Sequence, residues 1–165
     1  MLYDAPEHLK SIINRFVEKS GVKEPLSVKI QTNLPPSRGL GSSAAVAVAF
    51  VRASYDFMDQ PLDDKTLIKE ANWAEQIAHG KPSGIDTQTI VSNKPVWFKQ
   101  GQAETLKSLK LNGYMVVIDT GVKGSTKQAV EDVHVLCESD EYMKYIEHIG
   151  TCLLYTSPSP RDRTR

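Results

Sequence analysis

The stretch that decides the fold is Leu34-Pro35-Pro36-Ser37-Arg38-Gly39-Leu40-Gly41-Ser42-Ser43-Ala44-Ala45. Before it, Leu26, Val28 and Ile30 alternate with polar residues, which predicts a half-buried strand from Leu26 to Gln31. After it, residues 44–53 are apolar apart from Arg52, and this alanine-rich run predicts a buried helix. The chain is therefore expected to turn from a strand into a helix within residues 34–43, which we call the glycine-serine loop.

The end of the glycine-serine loop has the composition of an anion-binding helix start. Gly39 and Gly41 permit backbone conformations and close approaches that a side chain would block. Ser42 and Ser43 stand where an N-cap is expected, beside the unpaired amides of the first helical turn. These amides and the helix dipole favour an anion, usually a phosphate. A capped buried helix without a ligand is the alternative, whereas the spacing excludes a Walker A loop and a dinucleotide fingerprint.

A second candidate site residue is Glu75, which lies in a helix predicted from Asp63 or Asp64 to about Ala78. At 100° per residue, Glu75 falls on the apolar stripe of this helix. The other members of the stripe are Leu67, Ile68, Ala71, Ala74 and Ala78. Because a bare buried charge is costly, Glu75 is expected to pair with a lysine or arginine, or to bind a metal such as Mg²⁺.

The segment His79-Gly80-Lys81-Pro82-Ser83-Gly84-Ile85-Asp86 follows that helix directly. By itself, Asp86 is typical of an N-cap or turn aspartate, and His79 is typical of a partner for the C-terminal end of a helix dipole.

Together these motifs resemble a known family. The pattern Pro-x-x-x-Gly-Leu-Gly-Ser-Ser-Ala-Ala from Pro35 to Ala45 resembles the phosphate loop of the GHMP kinase superfamily. Glu75, followed by Asp86 within His-Gly-x-Pro-Ser-Gly-Ile-Asp, resembles the mevalonate kinases in particular. The resemblance implies that the cofactor ATP is bound by Pro35, Arg38, Gly39, Leu40, Gly41, Ser42, Ser43 and Ala44.

The same resemblance also implies roles in metal binding, catalysis and substrate contact. Ser43 and Glu75 are expected to be ligands of Mg²⁺, and Asp86 is expected to be the catalytic residue beside the hydroxyl that receives the phosphoryl group. A strand-loop-threonine-helix segment makes Thr126 a candidate for substrate or phosphate contact, although it could simply cap its helix.

The resemblance also implies a fold and an activity. The fold class is expected to be α+β, with residues 1–110 forming part of an N-terminal domain like domain 2 of ribosomal protein S5. Residues 111–150 are expected to start the C-terminal domain, and residues 151–165 to be a disordered, non-native tail. The activity implied is ATP- and Mg²⁺-dependent phosphorylation of mevalonate to 5-phosphomevalonate in isoprenoid biosynthesis. The family's N-terminal lysine and C-terminal glycine-rich loop have no counterpart here, so the chain alone is expected to have little turnover. The alternatives are another GHMP kinase, for phosphomevalonate or galactose, and a non-catalytic binding fragment.

The composition of the chain limits the kinds of partner that it is expected to bind. The chain has 165 residues, 40% of them hydrophobic, and 20 basic residues balance 20 acidic ones. This composition predicts a soluble protein without the basic excess that nucleic-acid or membrane-surface binding needs. Two cysteines and no signal peptide predict a cytoplasmic protein, and a homodimer is compatible with the resemblance.

Several other elements can be predicted from periodicity. A first amphipathic helix ends at Gly21, and its apolar face consists of Leu9, Ile12, Ile13, Phe16 and Val17. Strands are expected at 95–98 and, buried, at 114–118. A last helix follows Thr126, with an apolar face of Ala129, Val130, Val133, Leu136 and Cys137.

Overall fold

The computed structural model describes residues 5–36, 38–80, 82–99, 102–107, 113–114, 116–119, 121 and 126–155. Over these residues the chain forms helices and one antiparallel pair of strands, which confirms the α+β class. The elements are α1 (Glu7–Ser20), α2 (Ser42–Phe57), α3 (Asp64–His79), α4 (Ile85–Ser92), β1 (Val96–Lys99), β2 (Gln102–Thr105), α5 (Thr126–Leu136) and α6 (Asp140–Tyr155). The chain divides into two compact units, which comprise residues 1–124 and residues 125–165.

The core of the first unit lies between α1, α2 and α3. The predicted stripe of α1 is buried except for Val17, which is 38% exposed, and Phe16 meets Phe50 edge-on at 5.9 Å between ring centroids. Where α2 faces α3, the side chains are small: Ala44, Ala47, Ala71 and Ala74 are all fully buried. Small side chains let α2 and α3 approach closely. This close approach brings polar side chains of the two helices together at one end of their interface.

Local signals set the helix ends as predicted. Gly21 adopts the left-handed conformation, with φ of 63°, and ends α1. The Asp63 side chain accepts a hydrogen bond of 2.7 Å from the amide of Thr66 and caps α3.

The two strands form a hairpin. Val96 pairs with Thr105 and Lys99 with Gln102, so β1 and β2 are antiparallel neighbours. The strand predicted at 95–98 is therefore confirmed.

Two other predicted strands are wrong. Residues 26–31 form no strand, and Leu26 and Ile30 are 39% and 43% exposed. The described residues of 114–118 are also unpaired, and Tyr114 and Ile118 are 102% and 81% exposed. Alternating or β-branched residues favour a strand only where a neighbouring strand offers its N–H and C=O groups, and no described residue does so here.

The second unit contains α5 and α6. Helix α5 confirms the helix predicted after Thr126, although Thr126 is its first residue rather than its cap. Val133 and Leu136 on its apolar face are 43% and 48% exposed. Helix α6 continues to Tyr155, past residue 151 where the tail was predicted to begin, and residues 156–165 lie outside the described residues. Within the described part of the chain, every helix is too short or too polar to cross a bilayer.

Candidate active site

The glycine-serine loop ends where α2 begins, at Ser42, as predicted. The N-cap, however, is Gly41, with φ of 65° and ψ of 24°, and no side chain caps the helix. Ser42 and Ser43 are therefore the first two helical residues, which corrects the predicted N-cap role. The first hydrogen bond across the helix start runs from the Ala45 amide to the Gly41 carbonyl, at 2.9 Å. The amides before Ala45 have no partner within the helix and are available to an anion.

Instead of capping, Ser43 joins α2 to α3. Its hydroxyl donates a hydrogen bond of 2.6 Å to Glu75 Oε1, and Glu75 is only 5% exposed. The burial of Glu75 on the apolar stripe is therefore confirmed. Its second oxygen, Oε2, lies 3.6 Å from His79 Nε2, one helical turn later in α3. The expected lysine or arginine partner is absent among the described residues, because a hydroxyl and an imidazole take its place.

His8 also lies in this group, and it was not predicted from the sequence as a site residue. Its Nε2 atom lies 3.5 Å from Ser43 Oγ. Burial lowers the pKa of His8, while the nearby Glu75 charge opposes this shift and His79 adds to it. A signal existed, because His8 precedes the buried Ile12 by one helical turn and so faces the same side of α1.

Asp86 lies across from the loop backbone. It is the second residue of α4, whose N-cap is Gly84, so the predicted cap role is wrong. A methyl group on Gly41 would lie 3.5 Å from Asp86 Cγ and 3.8 Å from Oδ1. The carboxylate is exposed, and no described side chain forms a hydrogen bond or ion pair with it. The structure thus places Asp86 beside Gly41 of the glycine-serine loop.

Arg38 is held by a residue that the sequence did not single out. Its Nε atom lies 3.2 Å from Asp119 Oδ2. One guanidinium nitrogen, Nη1, is buried and has no hydrogen-bond partner among the described residues. A buried donor without a partner is costly, so an added acceptor such as a phosphate oxygen would stabilise it.

The remaining predicted residues differ in what they can contribute. Ala44 is fully buried in the core, so only its backbone can reach a ligand, whereas Leu40 is 46% exposed. Pro35 is exposed, and Gly39 adopts φ of 70°. Thr126 begins α5 in the second unit, and its side chain lies outside the described residues.

The Ser43–Glu75 pair fits a magnesium ion that is also held by phosphate. Both side chains offer oxygen, which Mg²⁺ prefers, and Mg²⁺ in phosphoryl transfer is commonly held by one or two carboxylates plus phosphate oxygens. The described residues contain no cluster of three or more histidine, cysteine, aspartate or glutamate side chains that could hold a metal alone. A metal at Ser43 and Glu75 would therefore need ligands from a nucleotide.

The chain is similar to known proteins. The family described as "GHMP kinases N terminal domain" matches residues 7–93. Mevalonate kinase of Aeropyrum pernix is 36% identical over 117 residues, which are 70% of this chain and 36% of that protein. Mevalonate kinase of the mouse is 32% identical over 123 residues, covering 66% of this chain and 31% of that protein.

A solved structure agrees. The crystal structure of mevalonate kinase from methicillin-resistant Staphylococcus aureus MRSA252 is 76% identical, with a TM-score of 0.59, and the match covers 68% of this chain and 38% of that one. The match thus spans 31–38% of the length of these relatives. Since the matched domain includes α1 to α4 and the whole glycine-serine loop, the chain belongs to the GHMP kinase family.

Proposed function

We propose that the protein carrying this chain transfers the terminal phosphoryl group of ATP to the primary hydroxyl of mevalonate and forms 5-phosphomevalonate. The observation that carries the proposal is the Ser43–Glu75 hydrogen bond of 2.6 Å at the start of α2, with Asp86 against Gly41 of the same loop. The resemblance to mevalonate kinases supports the choice of substrate.

The glycine-serine loop binds the phosphates of ATP. The amides of the first turn of α2 point out of the helix end, and the helix dipole adds a partial positive charge there. The φ values of Gly39 and Gly41, 70° and 65°, suit glycine because side chains are strained in that region. Arg38 adds a guanidinium group with one buried nitrogen that lacks an acceptor. Pro35 and Leu40 shape the loop at its exposed side.

Ser43 and Glu75 hold the magnesium ion that accompanies ATP. When bound, Mg²⁺ neutralises phosphate charge as the phosphoryl group is transferred. The chain itself holds the Ser43 and Glu75 oxygens in place on two packed helices. These side chains therefore need to move little when the ion binds. Ser43 and His79 contact the two oxygens of Glu75, so neither oxygen is left without a polar neighbour at this buried position.

Asp86 orients the mevalonate hydroxyl and accepts its proton. Its carboxylate is free of hydrogen bonds to described side chains, so it is available to a substrate. A positioned general base of this kind contributes about 10²–10⁴-fold to the rate. Thr126 is proposed to contact the substrate or its phosphate.

The proposed activity also suggests a cellular compartment, a pathway and an assembly. We place the protein in the cytoplasm, in the mevalonate pathway of isoprenoid biosynthesis, with a homodimer as its proposed assembly. Residues 1–110 are proposed as part of the ATP-binding domain and residues 111–150 as the start of the C-terminal domain.

The test is a chimera in which residues 7–93 replace the corresponding segment of the S. aureus mevalonate kinase. Coupled ADP release is measured with mevalonate, galactose and phosphomevalonate as acceptors. The chimera should turn over mevalonate with ATP and Mg²⁺, and Asp86→Asn should lower kcat by about 10²–10⁴ while ATP binding stays close to unchanged. The 165-residue chain by itself should show little or no turnover.

The matched control is Asp59→Asn, the same chemical change at an exposed residue after α2. It should leave kcat unchanged. Preference for galactose or phosphomevalonate would move the segment to another branch of the family. Full activity of Asp86→Asn would remove Asp86 from the mechanism.

A further inference from the structure

The Ser43 hydroxyl has one proton and two acceptors within hydrogen-bond distance. The nearer acceptor is Glu75 Oε1 at 2.6 Å, and the second is His8 Nε2 at 3.5 Å. The proton lies between Ser43 Oγ and Glu75 Oε1 in this structure. His8 is therefore the alternative acceptor within the described part of the chain.

A cation held by both oxygens is incompatible with that proton position. Ser43 Oγ and Glu75 Oε1 can both turn lone pairs toward a divalent cation only if the positive hydroxyl proton no longer lies between them. A serine hydroxyl can rotate its proton to another acceptor while keeping its oxygen in place. A partly buried hydroxyl that lost its acceptor would be less stable, so a second acceptor stabilises the rotated hydroxyl.

His8 is placed to be that acceptor. Its neighbour Leu9 and the next residue of the stripe, Ile12, are buried at 7% and 4% exposure, so α1 is fixed on the core. In the tautomer with the proton on Nδ1, Nε2 presents a lone pair toward Ser43. Partners beyond the ligands commonly orient the ligand groups of metal sites in this way.

We propose that His8 is a positioning residue, whose Nε2 accepts a hydrogen bond from the Ser43 hydroxyl when Ser43 and Glu75 together bind a divalent cation with nucleotide. The inference rests on the metal-binding part of the proposed function. It adds helix α1 to the site. Helix α1 contains neither the glycine-serine loop nor the Glu75 and Asp86 motifs.

The experiment measures divalent cation binding rather than turnover. Mn²⁺ is titrated into the chimera with a non-hydrolysable ATP analogue, and free Mn²⁺ is followed by electron paramagnetic resonance. His8→Leu removes the acceptor and should weaken Mn²⁺ binding by about 10-fold or more. His8→Gln places an amide oxygen or nitrogen near the position of Nε2 and should restore most of the affinity.

A double variant separates positioning from general damage to the fold. If His8 acts through the hydroxyl, His8→Leu should weaken Mn²⁺ binding no further in a Ser43→Ala background. Asn14→Leu, an exposed change on the same helix, should have no effect. Analogue binding without divalent cation should be equal in the parent, His8→Leu, His8→Gln and Asn14→Leu chimeras.

The inference would be overturned by unchanged Mn²⁺ affinity in His8→Leu or by an additive loss in the double variant. Failure of His8→Gln to restore affinity would also count against the acceptor role. Mevalonate is absent from this titration, so a chimera that fails to phosphorylate mevalonate but shows the predicted Mn²⁺ pattern refutes the proposed substrate alone. Equal Mn²⁺ affinity in Ser43→Ala and the parent chimera would refute both the metal site and the role of His8.

Discussion

Gly41 and Gly21 form a natural pair for separating backbone strain from the function of the glycine-serine loop. Both are left-handed, with φ of 65° and 63°. They differ in surroundings, because a methyl group on Gly21 would meet nothing within 4 Å, whereas one on Gly41 would lie 3.5 Å from Asp86 Cγ. The two alanine substitutions therefore impose the same strain in different places.

The expected loss of stability is similar for both. An alanine in the left-handed region costs about 1–2 kcal/mol relative to its preferred conformation. The 3.5 Å approach at Gly41 is an ordinary van der Waals contact and adds no clash. Gly21→Ala and Gly41→Ala should thus lower the free energy of unfolding of the chimera by about 1–2 kcal/mol each.

The expected loss of activity differs. At Gly41 the methyl group takes the space between the loop backbone and Asp86, where the proposed reaction places the phosphate and the hydroxyl. A displacement of about 1 Å at a reacting centre costs on the order of 100-fold in rate, so kcat/KM should fall about that much in Gly41→Ala. Gly21→Ala should keep the parent's activity at temperatures well below its melting point.

The assay combines thermal melting of both variants with coupled ADP release at 25 °C. Equal activity in the two variants would show that the space between Gly41 and Asp86 is not used in the reaction. A much larger loss of stability in Gly41→Ala than in Gly21→Ala would instead show that the Asp86 contact is tighter than described.

Two further predictions concern the stability of the helical core. Leu67→Ala removes a side chain that is 3% exposed and should destabilise the chimera by about 2–5 kcal/mol in denaturant titration, whereas Leu40→Ala, at a 46% exposed position, should cost far less. Burial alone would raise the pKa of Glu70, but the hydrogen bonds and charges of Lys19 and Arg15 outweigh it and lower that pKa. The stabilisation from Glu70 is therefore present above the carboxyl's unfolded pKa of about 4.3 and lost as the pH falls through the folded pKa. The difference in melting temperature between the parent and Glu70→Gln should shrink when measured below about pH 4, and a constant difference would contradict this.

The elements that were predicted correctly depend on neighbours along the chain. Gly21 ends α1 and Asp63 caps α3 because each acts on a backbone group within a few residues. The burial of Glu75 followed from the 3.6-residue period of α3 alone. The glycine-serine loop, with its glycines before a serine-led helix, likewise predicted the start of α2 at Ser42.

The error over residues 26–31 concerns contacts with distant parts of the chain. Residues 26–31 have the alternation of a strand, but a strand needs a partner, and the described residues supply none. The sequence also left Asp86 as a possible cap, whereas Gly84 holds that position.

The sequence by itself determined where most helices begin and end, which residues face the core, and which motifs bear the chemistry, because these follow from local backbone preferences and periodicity. Only the tertiary structure decided that Glu75 is paired with Ser43 and His79, and that His8 lies beside them. The physical reason is the packing of α2 on α3 through fully buried alanines such as Ala47 and Ala71. How closely two helices approach, and which polar groups meet at the end of their interface, depends on side chains that are far apart in the sequence.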